Sequence, residues 1–543
     1  MKDKLIKAAL SFAVVCVLGA CTKNYLDINS NPYEVDKEQM EAKDYAIASG
    51  LSAMFGTVVS TDVNTAQFTD CLQGGYYADA NNGWTNTISK YNPTDNWTNV
   101  FMYSDKVIPQ LYSNMSNVEG ISEDPLVLAI LKIVKVCVLN RVTDTYGPIP
   151  YSEIGSTGKI QVAYDDQPKV YSQMFDELDE AIALLDENID RSITSTTDQV
   201  FDGTAVKWCR FANSMKLRLA MRVVYTDFVS SKGLSPQQLG EQAVAHSVGV
   251  MQSNADNAQL SSLAFGKDGN PLYTACMYNS PAGSVTGGDS HAAADIICYM
   301  NGYEDPRREK YFSKAQFSGD NALEYVGMRR GIAIPALSTV GLLYSGVNFV
   351  DGMATPLQWM NAAEVAFLKA EAVGVFGWNM GGSAKTFYEQ GVRLSFEQWG
   401  VAGVDEYLVG TTLPESYTDP NGGATSYSTQ LSQLGVAWND GASKEEMQER
   451  IIIQKWIANF HLGNEAWADF RRTGFPHLIP AMESAVGNNS QGIRNLTLGA
   501  RRMSYPADEA TNNPENYAKA VEMLGGSDNM ATRMWWDCNP AVK

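Results

Sequence analysis

The chain has 543 residues, enough for a large buried core and, by length alone, for two or three domains. Hydrophobic content of 45% and charged content of 19% place it among ordinary globular proteins. A formal net charge of −20, with no basic run anywhere, excludes the cationic footprint of a nucleic-acid binder and fits an extracytoplasmic surface.

The first element is a leader. Lys2, Lys4 and Lys7 precede a mostly apolar run from Ala8 to Ala20. That run falls short of the roughly 20 apolar residues that span a bilayer, so residues 1–20 read as a secretory signal peptide. It ends in Leu18, Gly19, Ala20 and Cys21, which resembles a bacterial lipobox. Cleavage before Cys21 would leave its thiol for acylation. Several acyl chains, at about 0.8 kcal/mol per buried methylene, then make the only membrane attachment, and a permanent one. Residues 21–36 read as the lipidated tether and 37–543 as one large domain. Asp27 is the nearest acidic residue behind the cysteine.

Next comes a polar stretch over 72–98, rich in Gly, Asn and aromatic residues. Gly74, Gly75 and Gly83 permit an adaptable backbone around Tyr76, Tyr77, Asp79, Asn81, Asn82, Trp84 and Asn86. Trp97 opens the following helix. Asp144 to Tyr151 reads as a helix exit, with Gly147, Pro148 and Pro150 stopping the chain. The spacing of Met174, Leu178, Ala181, Ile182 and Leu185 predicts a helix over 168–187, with Pro168 in its first turn. Trp208, Phe211, Ala212, Met215, Leu219 and Val223 form one stripe and predict a helix over 204–225. A second polar stretch, 252–292, holds Asp268, Asn270, Tyr273, Met277, Tyr278 and Asn279.

Helices over 361–376 and 383–399 flank a Gly-rich turn. Ala362, Ala363, Ala366, Ala370 and Ala372 let the second approach closely through Phe387, Tyr388 and Gly391, so the pair resembles a tetratricopeptide unit. After a third polar stretch, 401–440, an amphipathic helix is predicted over 443–462 with Ile451, Ile452, Trp456, Ile457 and Phe460. The spacing of Glu465, Asp469 and Arg472 predicts surface or half-buried ion pairs on a helix. Trp208, Trp359, Trp456 and Trp467 are placed on apolar helical faces, and Trp535 and Trp536 pin the chain's end. The elements predict a mainly α fold class, a single large domain with long loops and minor β.

Beyond Cys16 in the leader and Cys21, six cysteines remain: Cys71, Cys137, Cys209, Cys276, Cys298 and Cys538. None has zinc-like or redox-like spacing, and their disulfide state stays open. Cys137 and Cys209 read as small buried hydrophobes. His246, His291, His461 and His477 form no metal motif. No cofactor or metal is expected, and a structural calcium ion is left open.

Six segments together resemble the SusD/RagB family of outer-membrane lipoproteins. They are RVTDTYGPIPYSE at 141–153, VKWCRFANSMKLRLAMR at 206–222, NAAEVAFLKAEA at 361–372, QKWIAN with EAWADFRRTGFP within 453–476, RRMSYPADE at 501–509, and 524–537 closing on Trp535, Trp536 and Asp537. The resemblance covers nearly all of the chain after the leader. It implies a mainly α domain of tetratricopeptide-like helix pairs, in a non-enzymatic surface protein of the outer membrane that faces the cell exterior. Such a protein captures oligosaccharide and passes it to a SusC-like TonB-dependent transporter. Capture of peptide is the alternative within the family.

Glycan sites stack an aromatic face on a sugar ring and hydrogen-bond its hydroxyls with amides and carboxylates. On that reasoning the ligand-contacting set is Tyr76, Tyr77, Asp79, Asn81 and Trp84 in the first polar stretch, with Tyr273 and Tyr278 in the second. Two rivals remain. A glycoside hydrolase needs two carboxylates across a cleft, and no motif marks such a pair. A pure interaction scaffold would use helical repeats to hold protein alone.

Overall fold

The computed structural model describes residues 43–59, 66–83, 88–93, 107–155, 161–194, 197–277, 288–315, 324–482 and 491–543. Cys21, Trp84, Asn86, Trp97, Tyr278 and Asn279 lie outside those residues.

The longer helices, in order, are α1 (Lys43–Phe55), α2 (Ala66–Gln73), α3 (Val107–Glu119), α4 (Pro125–Tyr146), α5 (Gln167–Asp186), α6 (Ala205–Arg222) and α7 (Pro236–Ala245). Then come α8 (Ala294–Gly302), α9 (Ala362–Gly374), α10 (Ala384–Trp399), α11 (Lys444–Ala458), α12 (Gly463–Thr473) and α13 (Pro514–Met523). The four helices predicted from apolar spacing are present, each within a few residues of its expected span, and so is the one opposite the alanine-rich helix. Local chemistry sets their ends. The Asp166 side chain accepts from the Lys169 N–H at 2.9 Å to start α5, with Pro168 in the first turn. A Ser443–Glu446 capping box starts α11. Gly147, at φ 97°, ends α4 in a conformation that side chains rarely adopt.

Helix α4 is apolar on nearly every face and is buried along most of its length, because α5 covers it on one side and α3 and α12 on others. Helices α5, α6 and α7 pack in succession. The alanine-rich α9 lies against α10, and α11 packs on both. At Gly391 a Cβ atom would sit 2.7 Å from the Phe367 ring, so this crossing requires glycine. One hydrophobic core runs from Ile47 to Trp536. Trp536 is fully buried and Trp535 half-buried, which anchors the C-terminal end. Among the described residues, no helix is long and apolar enough to cross a membrane.

Strands are few. β1 (Tyr77–Asp79) pairs antiparallel with β3 (Ser290–Ala292), Ala78 facing His291. β2 (Ala258–Leu260) pairs antiparallel with β4 (Leu357–Met360) across an irregular register. Trp359 is therefore on a strand and not on a helix. It is buried as expected, because β4 lays it against Phe55 and Phe211.

The ion pairs near the C-terminal end depart from expectation more strongly. Glu465, Asp469 and Arg472 are buried, with partners on three other helices. Arg218 of α6 holds Glu364 of α9 through two 2.8 Å contacts. Arg222 of α6 joins Asp144 of α4 to Glu465 of α12. Lys455 of α11 holds Asp469 at 2.7 Å, and Arg472 of α12 holds Glu371 of α9 at 2.7 and 2.8 Å. A charge stripe on one helix looks solvated in isolation. Here every such stripe faces the same axis, so each charge finds its partner inside. Burial opposes ionisation of Glu465 and Asp469, yet the surrounding cations hold both below the usual carboxylate range.

Candidate functional site

The β1–β3 sheet fixes the residues of the first polar stretch. Tyr76 and Tyr77 are 0% and 1% exposed and Asp79 is 2% exposed, which corrects their reading as exposed ligand contacts. Tyr76 stacks on Trp456 at 5.7 Å and donates to the Trp456 carbonyl at 2.6 Å. Tyr77 bonds through its hydroxyl to His461 Nδ1, and the Ser89 hydroxyl donates to Asp79. Gly74 and Gly75 serve a close packing contact instead of an open loop, since Cβ atoms there would meet Ala466 and Leu478.

Asn81 is half-buried at the end of this sheet. Its amide donates to Asp289 at 3.1 Å, and its carbonyl oxygen accepts from the Gly83 N–H at 2.9 Å. Tyr273 is also half-buried. It sits on a one-turn helix, Pro271–Cys276, which the Asn270 side chain caps. The ring of Tyr273 meets Phe349 edge-on at 5.6 Å. Phe349 in turn stacks on His461 at 4.8 Å, so a line of rings runs from the foot of β1 to Tyr273.

Two members of that line, Phe349 and His461, form one wall of a pocket of about 180 Å³. Phe349, Trp399, Phe460 and His461 give it aromatic surface, and Gln259, Gln358 and Gln398 give it amides. The three glutamines form a relay. Both Gln259 and Gln398 donate to the Gln358 side-chain oxygen, at 2.7 and 3.2 Å. Trp399 ends α10 half-buried, and its indole N–H has no acceptor among the described residues. His461 takes φ 78°, and burial pushes its imidazole down to about 3, so it is neutral at ordinary pH.

The arrangement suits recognition by stacking and amide hydrogen bonds. Among the residues that line the pocket, Asp351 is the single carboxylate, where glycoside hydrolysis requires two. A neighbouring cavity of about 60 Å³ is lined by Asp70, Arg141 and Asn464 among others, and shares His461 with the pocket. Of the expected contacts among the described residues, none lines this pocket; Tyr77 and Tyr273 pack behind its wall, against His461 and Phe349. Phe349, Trp399 and the glutamines were missed, because the pocket draws on four separate stretches and none carries a local signal.

The structure defines a mainly helical, single-domain protein of the tetratricopeptide-like class. The family model described as "SusD-like: Susd and RagB outer membrane lipoprotein" matches residues 27–537. The chain belongs to that family. A SusD homologue from Bacteroides uniformis is 51% identical over 91% of this chain and 99% of its own, with a TM-score of 0.84. One from Bacteroides ovatus is 38% identical, with the same coverage and a TM-score of 0.82. A chitin-binding SusD homologue from Flavobacterium johnsoniae is 35% identical over 91% of this chain and 99% of its own, with a TM-score of 0.79. No curated protein matches the chain.

Proposed function

We propose that this protein is a lipid-anchored capture protein. It binds oligosaccharide at the outer face of the outer membrane and hands it to a SusC-like TonB-dependent transporter, without chemical change. The observation that carries this reading is the pocket of Phe349 and Trp399 beside the Gln259–Gln358–Gln398 relay, in a chain of this family. Flat rings suit the apolar face of a sugar, and fixed amides suit its hydroxyl or N-acetyl groups. The chitin-binding relative supports an N-acetylated sugar as the first ligand to try.

Asn81 and Tyr273 extend the proposed contact surface beyond the pocket. Trp84 and Tyr278 stay in the proposed set from their sequence context alone. Calorimetry on residues 22–543 with a panel of oligosaccharides and peptides, with product analysis in parallel, tests the reading. Saturable oligosaccharide binding without products is expected. Hydrolysis products, or binding of peptides alone, would overturn it.

A further inference from the structure

Outside the pocket, three helix ends converge. Asp186 is the last residue of α5, Cys209 lies in the second turn of α6, and His246 caps the C-terminal end of α7. His246 Nε2 is 2.9 Å from one Asp186 oxygen, and Cys209 Sγ is 3.8 Å from the other. All three donor atoms lie within 4.8 Å of one another. We propose that Asp186, Cys209 and His246 form a binding site for a zinc-class divalent cation, which pins the ends of α5, α6 and α7.

The donor chemistry selects the cation. One thiolate, one imidazole nitrogen and one carboxylate oxygen match a borderline-soft ion held tetrahedrally, with water in the fourth position. Calcium and magnesium ask for oxygen ligands throughout. The surroundings fit as well. Cys209 is buried, Asp186 is exposed and His246 is half-buried, so one face opens to solvent for the fourth ligand. The Asn213 amide points at the sulfur at 3.8 Å, a second-shell donor that would steady a thiolate.

The proton balance is explicit. Without metal, burial and Asp186 push the Cys209 thiol up to about 12, so it is protonated. The cation displaces that proton to solvent as the metal–sulfur bond forms. It also takes the place of the His246–Asp186 hydrogen bond. The imidazole proton moves to Nδ1, which gives up its 3.4 Å contact from the Val248 N–H. No sequence motif marks the site, because Asp186 is 23 residues from Cys209 and 60 from His246.

Titration of residues 22–543 with zinc, calcium and magnesium, read by calorimetry and thermal melting, tests the proposal. Zinc should bind at one equivalent and raise Tm as its concentration passes Kd, while calcium and magnesium should not act at this site. Cobalt should give a thiolate-to-metal charge-transfer band that Cys209→Ser abolishes and Cys538→Ser leaves intact. His246→Gln changes a half-buried side chain and should fold normally, and it should weaken zinc binding about tenfold or more. Should Cys209→Ser fail to fold, His246→Gln decides the matter alone. Absence of zinc binding, or equal affinity in His246→Gln, would overturn the site.

Discussion

His461 holds a backbone conformation, φ 78°, that few side chains other than Gly, Asn, Asp and His adopt. The rings of Phe349 and Phe460 and the Tyr77 hydroxyl keep it there, at 4.8 Å and 4.0 Å between centroids for the two phenylalanines. A histidine held below its unfolded value of about 6.5 adds stability that is complete above that pH. The contribution is lost as pH falls toward the folded value, here about 3. His291 on β3, pushed down to about 4 by burial, acts in the same window. Stability should therefore fall between pH 6.5 and 4, each histidine costing at most about 1.4 kcal/mol per pH unit. Asn tolerates the left-handed backbone, so His461→Asn should flatten that slope in urea melts taken across the range. An unchanged slope would remove His461 from the account. At the pocket wall, Trp399→Ala removes a stacking face and should weaken oligosaccharide binding about tenfold, equivalent to ~1.4 kcal/mol. Trp399→Phe should recover most of that loss, and equal weakening by both variants would point to the indole N–H instead of the ring. None of this was legible in the local sequence. The apolar spacing that revealed Trp456 as core could not reveal Tyr76, whose cover is Trp456 itself, 380 residues away.

Helices α4, α6, α9, α11 and α12 are tied together by buried charge as well as by apolar contact. Arg222 bridges Asp144 and Glu465 between α4 and α12. Arg222→Met would leave two carboxylates buried without their shared cation, and a broken buried pair costs about 3–5 kcal/mol. Urea denaturation should show the midpoint falling with little change in m. A loss below about 1 kcal/mol would mean that water already reaches the network. The α9–α10 crossing depends on shape instead. Gly391→Ala would press a methyl group into the Phe367 ring and should cost about 1–3 kcal/mol by overpacking, read as a lower Tm. This crossing was legible, since the alanines of α9 and Gly391 declare a close approach from sequence alone. The ion network was half legible. The i, i+3 and i, i+4 spacing of Glu465, Asp469 and Arg472 marked them as paired, but a single helix does not say whether its charged stripe meets water or three other helices.

The molecule as a whole joins an anchor predicted from the first 21 residues to a helical domain of the SusD-like family. On the anchoring proposal, Cys21→Ser should shift the protein from the membrane pellet to the soluble fraction and leave its helical circular dichroism unchanged. Continued sedimentation with membranes would sink the lipid anchor as the attachment. The sequence by itself determined the class of fold, the position of five of the helices and the family. Apolar periodicity, caps and glycine stops act over a few residues and are written locally, as Asp166, Pro168, Ser443 and Gly147 illustrate. Only the tertiary structure decided that Tyr76, Tyr77 and Asp79 are core, that the charges of α12 are buried, and that Phe349, Trp399 and three glutamines share one pocket. Burial and convergence depend on what packs against a residue, and in a domain of long connections the packing partner lies hundreds of residues away.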